Sequence, residues 1–250
     1  MKPSCSIFFH NYYGEHEYWI NFFTKNLSIP YTLYYNAVKN SIYNFESIES
    51  ADIYSNQIGS TNNTQKLIYR QSSNKGKDIG GKLVLLDAYQ KLALKTDYGL
   101  FLHDKKSPYK ANNTVWASDL LKITDSAFAR KALQIFEESP DVGIITATGN
   151  LKNEYDDDKK SFISTNKALL PQLQNRFSIY PASFQYVAGT MFWFRMKPLN
   201  TFLKEHSPLK IRALLENGNV TDEKEGSYTH CWERLLSWII TSQGYKIKTI

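Results

Sequence analysis

Short apolar segments typical of β-strands alternate with longer segments of helical periodicity along most of this 250-residue chain. This alternation constrains the fold more than any other feature, because parallel strands need a long crossover, usually a helix, to join them. The sequence therefore predicts an α/β fold in a single domain, with a mainly parallel sheet flanked by helices. The strand-like segments are CSIFFH, YTLYYNAV, KLIYRQSS, YGLFLH, DVGIIT and GYKIKTI, together with FQYVAGTMFWFR, which is predicted as a strand pair or a bent strand.

Four segments between the predicted strands have the pattern of helices. The first, EHEYWINFFTKNL, places its aromatic side chains on one face and acidic residues in its first turn. Others are predicted from Lys82 to about Lys95, from about Ser126 to Glu138, and over YTHCWERLLSWIITSQ. Residues 39–65 and 149–180 have no clear period, so we expect irregular structure there.

The composition argues against a membrane-spanning or secreted protein. No apolar segment approaches the ~20 residues that a membrane helix needs, and acidic residues precede any signal-type apolar core. Cys5 and Cys231 are too few for a disulfide framework and lie in apolar surroundings, so we expect buried free thiols. The sequence therefore predicts a cytoplasmic protein.

The charge balance favours an anionic partner. The formal net charge is +6 and the sequence pI is about 9.0, which suits a nucleotide, a phospholipid surface or a nucleic acid. The basic residues are dispersed, however, with no run of five or more and no recognisable nucleic-acid-binding motif. We therefore expect no nucleic-acid partner.

The segment NKGKDIGG lies between a predicted strand and a predicted helix. Its three glycines permit tight turns and close backbone approach, and amides at a helix start can face a phosphate. It matches neither the P-loop nor G-x-G-x-x-G, so a ligand-binding turn and a plain strand-to-helix connection both stay open. Asp78 has the simpler interpretation of a helix cap.

The strand YGLFLH ends in a run of polar residues, His103, Asp104, Lys105 and Lys106. In open parallel sheets, ligands bind beyond the carboxyl ends of strands. Two lysines bind phosphate as point charges, whereas one imidazole and one carboxylate make a sparse metal site. A solvated loop is the alternative.

Two later segments also carry candidate site residues. In AGTMFWFR, Gly189 and Thr190 precede three consecutive aromatics, of which we expect two to pack in the core and one, Trp193, to form the floor of a sugar pocket. In THCWERLLSW, His230 and Glu233 share a helical face with Ser237, beside Arg234. A His and a Glu one turn apart suit a general base; an exposed, salt-bridged face is the alternative.

In this order, the segments NKGKDIGG, LHDKKSP, AGTMFWFR and HCWERL resemble the rhamnan synthesis F family of bacterial polysaccharide glycosyltransferases. The family patterns read roughly N-x-G-R-D-I-G, L-H-T-K-K-S, G-T-M-F-W-x-R and H-x-x-E-R. The resemblance runs from about Phe9 to the C-terminus. It implies a role in rhamnose-containing cell-wall, lipopolysaccharide or O-antigen polysaccharides.

The order of elements is also similar to a GT-A glycosyltransferase domain, an α/β sheet that binds a nucleotide sugar. Asn74 and Gly76 match that family's turn before a helix, and residues 103–105 stand where its D-x-D motif would. Glu233 precedes Gly244 by eleven residues, the interval between that family's acidic base and a later glycine. By analogy with that fold, the resemblance implies an inverting hexosyltransferase.

The chain departs from this family at the D-x-D motif. There, carboxylates hold a divalent cation on the donor diphosphate, but His103 and Lys105 replace the two outer carboxylates. We therefore expect His103, Lys105 and Lys106 to bind the diphosphate directly, with Mg²⁺ or Mn²⁺ weakly needed or absent. Asp104 is the one candidate metal ligand.

The resemblance implies a donor-binding part at about 1–110 and an acceptor and catalytic part at about 111–250. It assigns Asn74 or Asp78 to the base or ribose of the donor, which is dTDP-rhamnose or a similar nucleotide sugar. It assigns Glu233 to the general base. His230 is the alternative base or its partner, and Gly189, Thr190 and Trp193 shape the acceptor side.

The implied acceptor is a glycan or lipid-linked glycan. The basic balance of the chain suits peripheral contact with the inner face of the membrane, where such an acceptor lies. A non-catalytic relative that binds a sugar or nucleotide is the competing hypothesis, and the altered D-x-D motif is its main support.

Overall fold

The computed structural model of the protein describes residues 4–38, 64–93, 95–104, 120–222 and 225–250. In these ranges the chain forms a seven-stranded sheet, two small two-stranded sheets and seven α-helices. The prediction of a single α/β domain with a mainly parallel sheet is confirmed. Among the described residues, no helix combines the length and hydropathy needed to cross a membrane.

The central sheet contains seven of the eleven strands in the described residues, and the other four form two small antiparallel pairs. The central strands are β1 (Cys5–Asn11), β2 (Tyr31–Val38), β3 (Thr64–Ser72), β4 (Tyr98–His103), β5 (Val142–Thr146), β10 (Phe192–Arg195) and β11 (Lys246–Thr249). The small pairs are β6 (Leu151–Asn153) with β9 (Gln185–Val187), and β7 (Tyr155–Asp156) with β8 (Ser161–Phe162).

The helices alternate with the strands through the first half of the chain and cluster in the second. They are α1 (His16–Asn26), α2 (Lys77–Leu92), α3 (Ser126–Glu138), α4 (Leu169–Phe177), α5 (Met196–Glu205), α6 (Pro208–Leu214) and α7 (Tyr228–Thr241).

The strand order of the central sheet is β11-β5-β10-β4-β1-β2-β3. All its strands run in one direction except β10, which is antiparallel to both β4 and β5. The chain moves outward from β1 to β3 and then returns to β4 on the other side of β1. Such a reversal opens a crevice at the carboxyl ends of the strands, which is where open α/β sheets bind ligands.

The core lies on both faces of this sheet. One face packs Phe8, Phe101 and Phe194 against α2 and α4 to α7, and the other packs Phe9 and Trp193 against α1 and α3. Because side chains alternate along a strand, the consecutive aromatics of β10 divide between the two faces, as predicted. Both cysteines are buried free thiols, and burial raises the pKa of each to about 12.

Two expectations about secondary structure were wrong. Helix α2 begins at Lys77, not Lys82, because Gly76 takes a left-handed conformation, with φ of 75°, and starts the helix early. Residues 149–180 are not a long loop. They contain β6 to β8 and helix α4, whose Leu170, Leu173 and Phe177 are buried in spite of a polar local sequence. The other irregular segment falls almost wholly at 39–63, outside the described residues.

Candidate active site

Buried polar side chains cross the central sheet where β1, β2 and β4 end. His10 lies beside Asn36 of β2 on one side and His103 of β4 on the other. The Asn36 amide nitrogen is 2.9 Å from His10 Nδ1 and 3.0 Å from Ser72 Oγ. Burial lowers the pKa of His10 to about 4, against the opposing effect of Asp78, so this imidazole is neutral at pH 7.

The glycines of NKGKDIGG let α2 lie directly on this polar row. A Cβ atom at Gly81 would be 1.9 Å from His10 Nδ1, and one at Gly80 would be 1.8 Å from the Lys75 carbonyl oxygen. Gly76 donates its N–H to the Glu216 carbonyl at 2.8 Å. The atoms that approach these glycines belong to the protein and not to a ligand. The packing of α2 therefore explains why glycine occupies these positions.

Lys82 of α2 is fully buried and joins three elements at the sheet edge. Its Nζ is 2.8 Å from Asp78 Oδ2, 3.2 Å from His103 Nδ1 and 3.0 Å from the Thr190 carbonyl oxygen. The three N–H groups of an ammonium are thereby engaged. Asp78, His103 and Thr190, which come from three of the predicted motifs, meet around this one cation.

The charges of the Asp78–Lys82 pair depend on each other. Burial lowers the pKa of Lys82, and the Asp78 carboxylate opposes that shift. Burial acts to raise the pKa of Asp78, but Lys82, His103 and hydrogen bonds from Lys82 and Thr190 hold it well below its ordinary value. Asp78 is therefore a charged partner of Lys82 at neutral pH.

The turn at Gly189 and Thr190 lies between α2 and α7. Both residues have positive φ, 78° and 50°, and for a β-branched residue such as Thr190 this conformation costs about 1–3 kcal/mol. Thr190 Oγ1 donates to Asp78 at 2.7 Å, while the Gly189 N–H donates to Glu233 Oε1 at 2.7 Å. Contacts from both helices thus hold the strained turn.

Two side chains cap the start of α7, and one of them also contacts His230. Ser227 Oγ accepts the His230 N–H at 3.2 Å and lies 2.6 Å from His230 Nδ1. The Glu216 carboxylate accepts the N–H groups of Tyr228 and Thr229 at 2.6 and 3.0 Å. Burial lowers the pKa of His230, although Asp222 nearby acts in the opposite direction.

The candidate face of α7 is salt-bridged but only partly exposed. Glu233 Oε2 is 2.5 Å from Arg234 Nη1, and its side chain keeps 22% of its surface accessible. Arg234 Nε is 2.9 Å from Glu154 Oε2. Ser237 is fully buried and accepts the Val187 N–H at 3.1 Å. The expected alternative of an exposed face is therefore wrong for Arg234 and Ser237.

Asp104 has a different setting from His103. Its two carboxylate oxygens accept the N–H groups of Tyr12 and Tyr13 at 2.8 and 2.6 Å, which fixes the loop after β1. Lys105 and Lys106 lie outside the described residues.

The altered D-x-D segment also bears on a divalent cation. The described part of the chain contains no cluster of three or more His, Cys, Asp or Glu side chains suited to a metal. Both carboxylate oxygens of Asp104 already accept backbone amides. Asp104 therefore does not fit the role of a D-x-D cation ligand.

Asn74 and Trp193 occupy contrasting positions. The Asn74 amide donates to Asn219 Oδ1 at 2.9 Å, and Asn219 donates to the Tyr12 hydroxyl at 3.1 Å. Asn74 therefore connects the start of α2 with the loop after β1. Trp193 is fully buried and donates its indole N–H to the Ile123 carbonyl at 2.9 Å. It packs in the core and has no surface to offer a sugar, which corrects the expectation for this residue.

Several polar residues of the site were not predicted. Lys82 had a usable signal, because it is four residues after Asp78 and directly precedes the apolar run 83–86. His10 and Asn36 stand near the carboxyl ends of apolar strands, and that position was their signal. Glu154 had none, because its partner Arg234 is 80 residues away.

Comparison with models of known protein families identifies a family for this chain. Residues 2–245 match the family model of rhamnan synthesis protein F, which is nearly the whole chain. A search of curated proteins found no match.

Proposed function

The chain belongs to the rhamnan synthesis protein F family, which gives it a role in rhamnan polysaccharide synthesis, and we propose that it fills this role as a GT-A-type glycosyltransferase. In this proposal it moves rhamnose or a similar sugar from a nucleotide-diphosphate donor to a bacterial cell-surface polysaccharide such as O-antigen. The observation that carries the proposal is the meeting of Asp78, His103, Thr190 and Glu233 at one sheet edge.

The donor binds across the carboxyl ends of β1 and β4. Asn74 or Asp78, on either side of the start of α2, contacts the base or ribose, and Gly76 between them belongs to the same donor site. His103 receives the diphosphate together with Lys105 and Lys106, which supply positive charge next to the leaving group. Asp104 contributes indirectly in this scheme, because it fixes the loop at Tyr12 and Tyr13.

The reaction is a single displacement at the anomeric carbon. Glu233 removes the proton from the acceptor hydroxyl, and the acceptor oxygen forms the new glycosidic bond as the bond to the diphosphate breaks. The electron pair of the broken bond leaves with the diphosphate, the proton ends on Glu233, and the anomeric configuration inverts. The transition state is oxocarbenium-like, as in other glycosyl transfers.

His230 is the alternative base. Because burial lowers its pKa, its imidazole is neutral at pH 7 and able to accept a proton. The short contact between its Nδ1 and Ser227 Oγ already occupies one ring nitrogen. Glu233 is favoured because it lies against the Gly189–Thr190 turn that also contacts Asp78.

The acceptor side comprises Gly189, Thr190 and the elements after residue 111, and the donor side comprises about 1–110. The acceptor is a growing glycan, free or lipid-linked. A net charge of +6 favours contact with an anionic membrane surface that carries such an acceptor, so we propose a cytoplasmic protein that binds the inner face of the membrane.

Turnover and binding of dTDP-rhamnose, with other nucleotide sugars as a panel, test this function. Release of dTDP is followed for the wild type, Glu233→Gln and His230→Gln, with and without excess chelator, and binding is followed by thermal shift. We expect Glu233→Gln to bind donor normally but to lose about 10²- to 10⁴-fold in turnover, the usual range for a general base.

Each other outcome identifies a different error. A larger loss in His230→Gln than in Glu233→Gln assigns the base to His230. Loss of turnover in chelator that Mg²⁺ or Mn²⁺ restores contradicts the metal-independent version. Binding of a nucleotide sugar without turnover, whatever acceptor is supplied, favours the non-catalytic relative, which the altered D-x-D motif supports. No binding by any nucleotide sugar contradicts the donor site itself.

A further inference from the structure

We propose that Arg234, held by Glu154, is a positioning residue that fixes the orientation of the Glu233 carboxylate. The inference rests on the proposed function, because it takes Glu233 as the base. It adds a second element to the catalytic site, since Glu154 belongs to the connection between β6 and β7 and not to α7.

Arg234 is held by contacts on several sides. Its Nε donates to Glu154 Oε2 at 2.9 Å, and its Nη1 donates to Glu233 Oε2 at 2.5 Å and to the His230 carbonyl at 3.1 Å. Its guanidinium carbon lies 4.5 Å from the centre of the Tyr186 ring. The planar fork of arginine can reach two carboxylates at fixed angles, which a lysine ammonium cannot do.

Glu154 is itself anchored and almost completely buried. Its side chain is 3% exposed, and that of Arg234 is 9% exposed. Glu154 Oε1 accepts the Ser164 N–H at 2.9 Å, while its backbone bonds to Phe184 and Ile163 at 3.1 and 2.9 Å. A solvent-exposed ion pair would hold Arg234 only weakly; this one is shielded and fixed at both ends.

These contacts leave Glu233 with little freedom to rotate. Oε1 accepts from Gly189 and Oε2 accepts from Arg234, and each carboxylate oxygen has about one further lone-pair site for an acceptor hydroxyl. The other ionisable groups that act on Glu233 are Lys82 of α2, Tyr186 of β9 and His230 of α7. Among the described side chains, Arg234 makes the shortest contact with the Glu233 carboxylate.

The test compares Arg234→Lys, Arg234→Gln and Glu154→Gln with Arg195→Lys as a matched control. Arg195 is also an arginine that stacks on aromatic rings, Tyr98 and Phe136, and donates to backbone carbonyls. It pairs with the first residue of β4, at the opposite edge of the sheet from the site. Initial rates of dTDP release from dTDP-rhamnose are measured as a function of donor concentration, which separates kcat from KM.

We expect Arg234→Lys and Glu154→Gln to lower kcat by about 10- to 100-fold, the effect of a misplaced catalytic group, with little change in KM for the donor. In Arg234→Gln, which also loses the hydrogen-bond donor to Glu233 Oε2, kcat should fall at least as far. Arg195→Lys should retain both the wild-type kcat and the wild-type KM.

Two results overturn the inference. The first is an unchanged kcat in folded Arg234→Lys and Glu154→Gln while Glu233→Gln is inactive; the proposed function then stands without the positioning residue. The second is absence of turnover in the wild type, which removes the reaction and with it the inference. If Arg234→Gln does not fold, Glu154→Gln and Arg234→Lys still decide the question through the split between kcat and KM.

Discussion

At the scale of single residues, the site depends on polar groups placed where apolar ones would pack more easily. Lys82 is fully buried, whereas the side chain of its partner Asp78 keeps 24% of its surface accessible. Breaking a buried ion pair by removing one partner is costly, because the other charge stays uncompensated. Such an arrangement adds little to stability, and its consequence is to hold His103 and Thr190 at fixed positions around the cation.

His10 makes a residue-scale prediction about pH. Its pKa falls from 6.5 to about 4 through burial, so between these values the unfolded chain binds a proton that the folded chain does not. Stability must therefore decrease as pH falls from about 6.5 towards 4. We expect the unfolding free energy of the wild type to drop by about 2 kcal/mol more than that of His10→Gln between pH 7.5 and 5.

Urea titrations of both proteins at the two pH values measure this difference. His10→Gln keeps a hydrogen-bond acceptor for the Asn36 amide while removing the ionisable ring, so other titrating groups cancel in the comparison. An equal loss of stability in the two proteins would mean that His10 gains its proton with no penalty in the folded state.

At the scale of elements, the sequence predicted where the site would form better than which side chains would be open to it. The motifs at Asn74 and His103 fall near one sheet edge because the strand and helix alternation fixes a parallel topology. Gly189 joins them because the strand that follows it, β10, is antiparallel to β4. Side chains alternate along a strand, which places Trp193 on the opposite face of the sheet from Phe192 and Phe194. No sequence pattern, however, indicates which face of a strand is covered by other elements. Tertiary packing decided that question, and it buried the indole.

Helix α2 illustrates a related limit. Local propensity put its start near Lys82, because a segment with three glycines is a poor helix former. Tertiary contacts override that preference, since the glycines give up helix propensity so that the backbone can approach His10 and Lys75. Glu154 lay beyond prediction for another reason: its salt bridge to Arg234 depends on the approach of two elements that are distant in sequence.

Gly81 makes the element-scale prediction. A Cβ atom there would lie 1.9 Å from His10 Nδ1, so Gly81→Ala must move α2 away from β1. We expect the variant to lose about 1–3 kcal/mol of unfolding free energy, the usual cost of overpacking. Gly149→Ala is the matched control, because a Cβ atom there meets nothing within 4 Å. Urea denaturation of the two variants makes the comparison, and equal stability would contradict the close packing of α2.

At the scale of the whole molecule, the central sheet unites the two parts to which donor and acceptor roles are proposed. Strand β10 comes from the second part but lies between β4 and β5, with Phe192 paired to Phe101 and Phe194 to Gly99. The rings of Phe101 and Phe194 are stacked at 4.4 Å. The proposed acceptor part therefore contributes strand β10, which pairs with β4, and part of the aromatic core of the proposed donor part.

This arrangement predicts that residues 1–110 do not fold alone. Without β10, strand β4 becomes an edge, and Phe8 and Phe101 lose their contacts with Phe194. Burying an aromatic side chain contributes roughly 1.5–3 kcal/mol, and a domain has only about 5–15 kcal/mol of net stability to lose. The fragment should lack a cooperative urea transition by circular dichroism, whereas the full chain should show one. A cooperative transition in the isolated fragment, together with a thermal shift on dTDP-rhamnose, would instead make the donor side an independent unit.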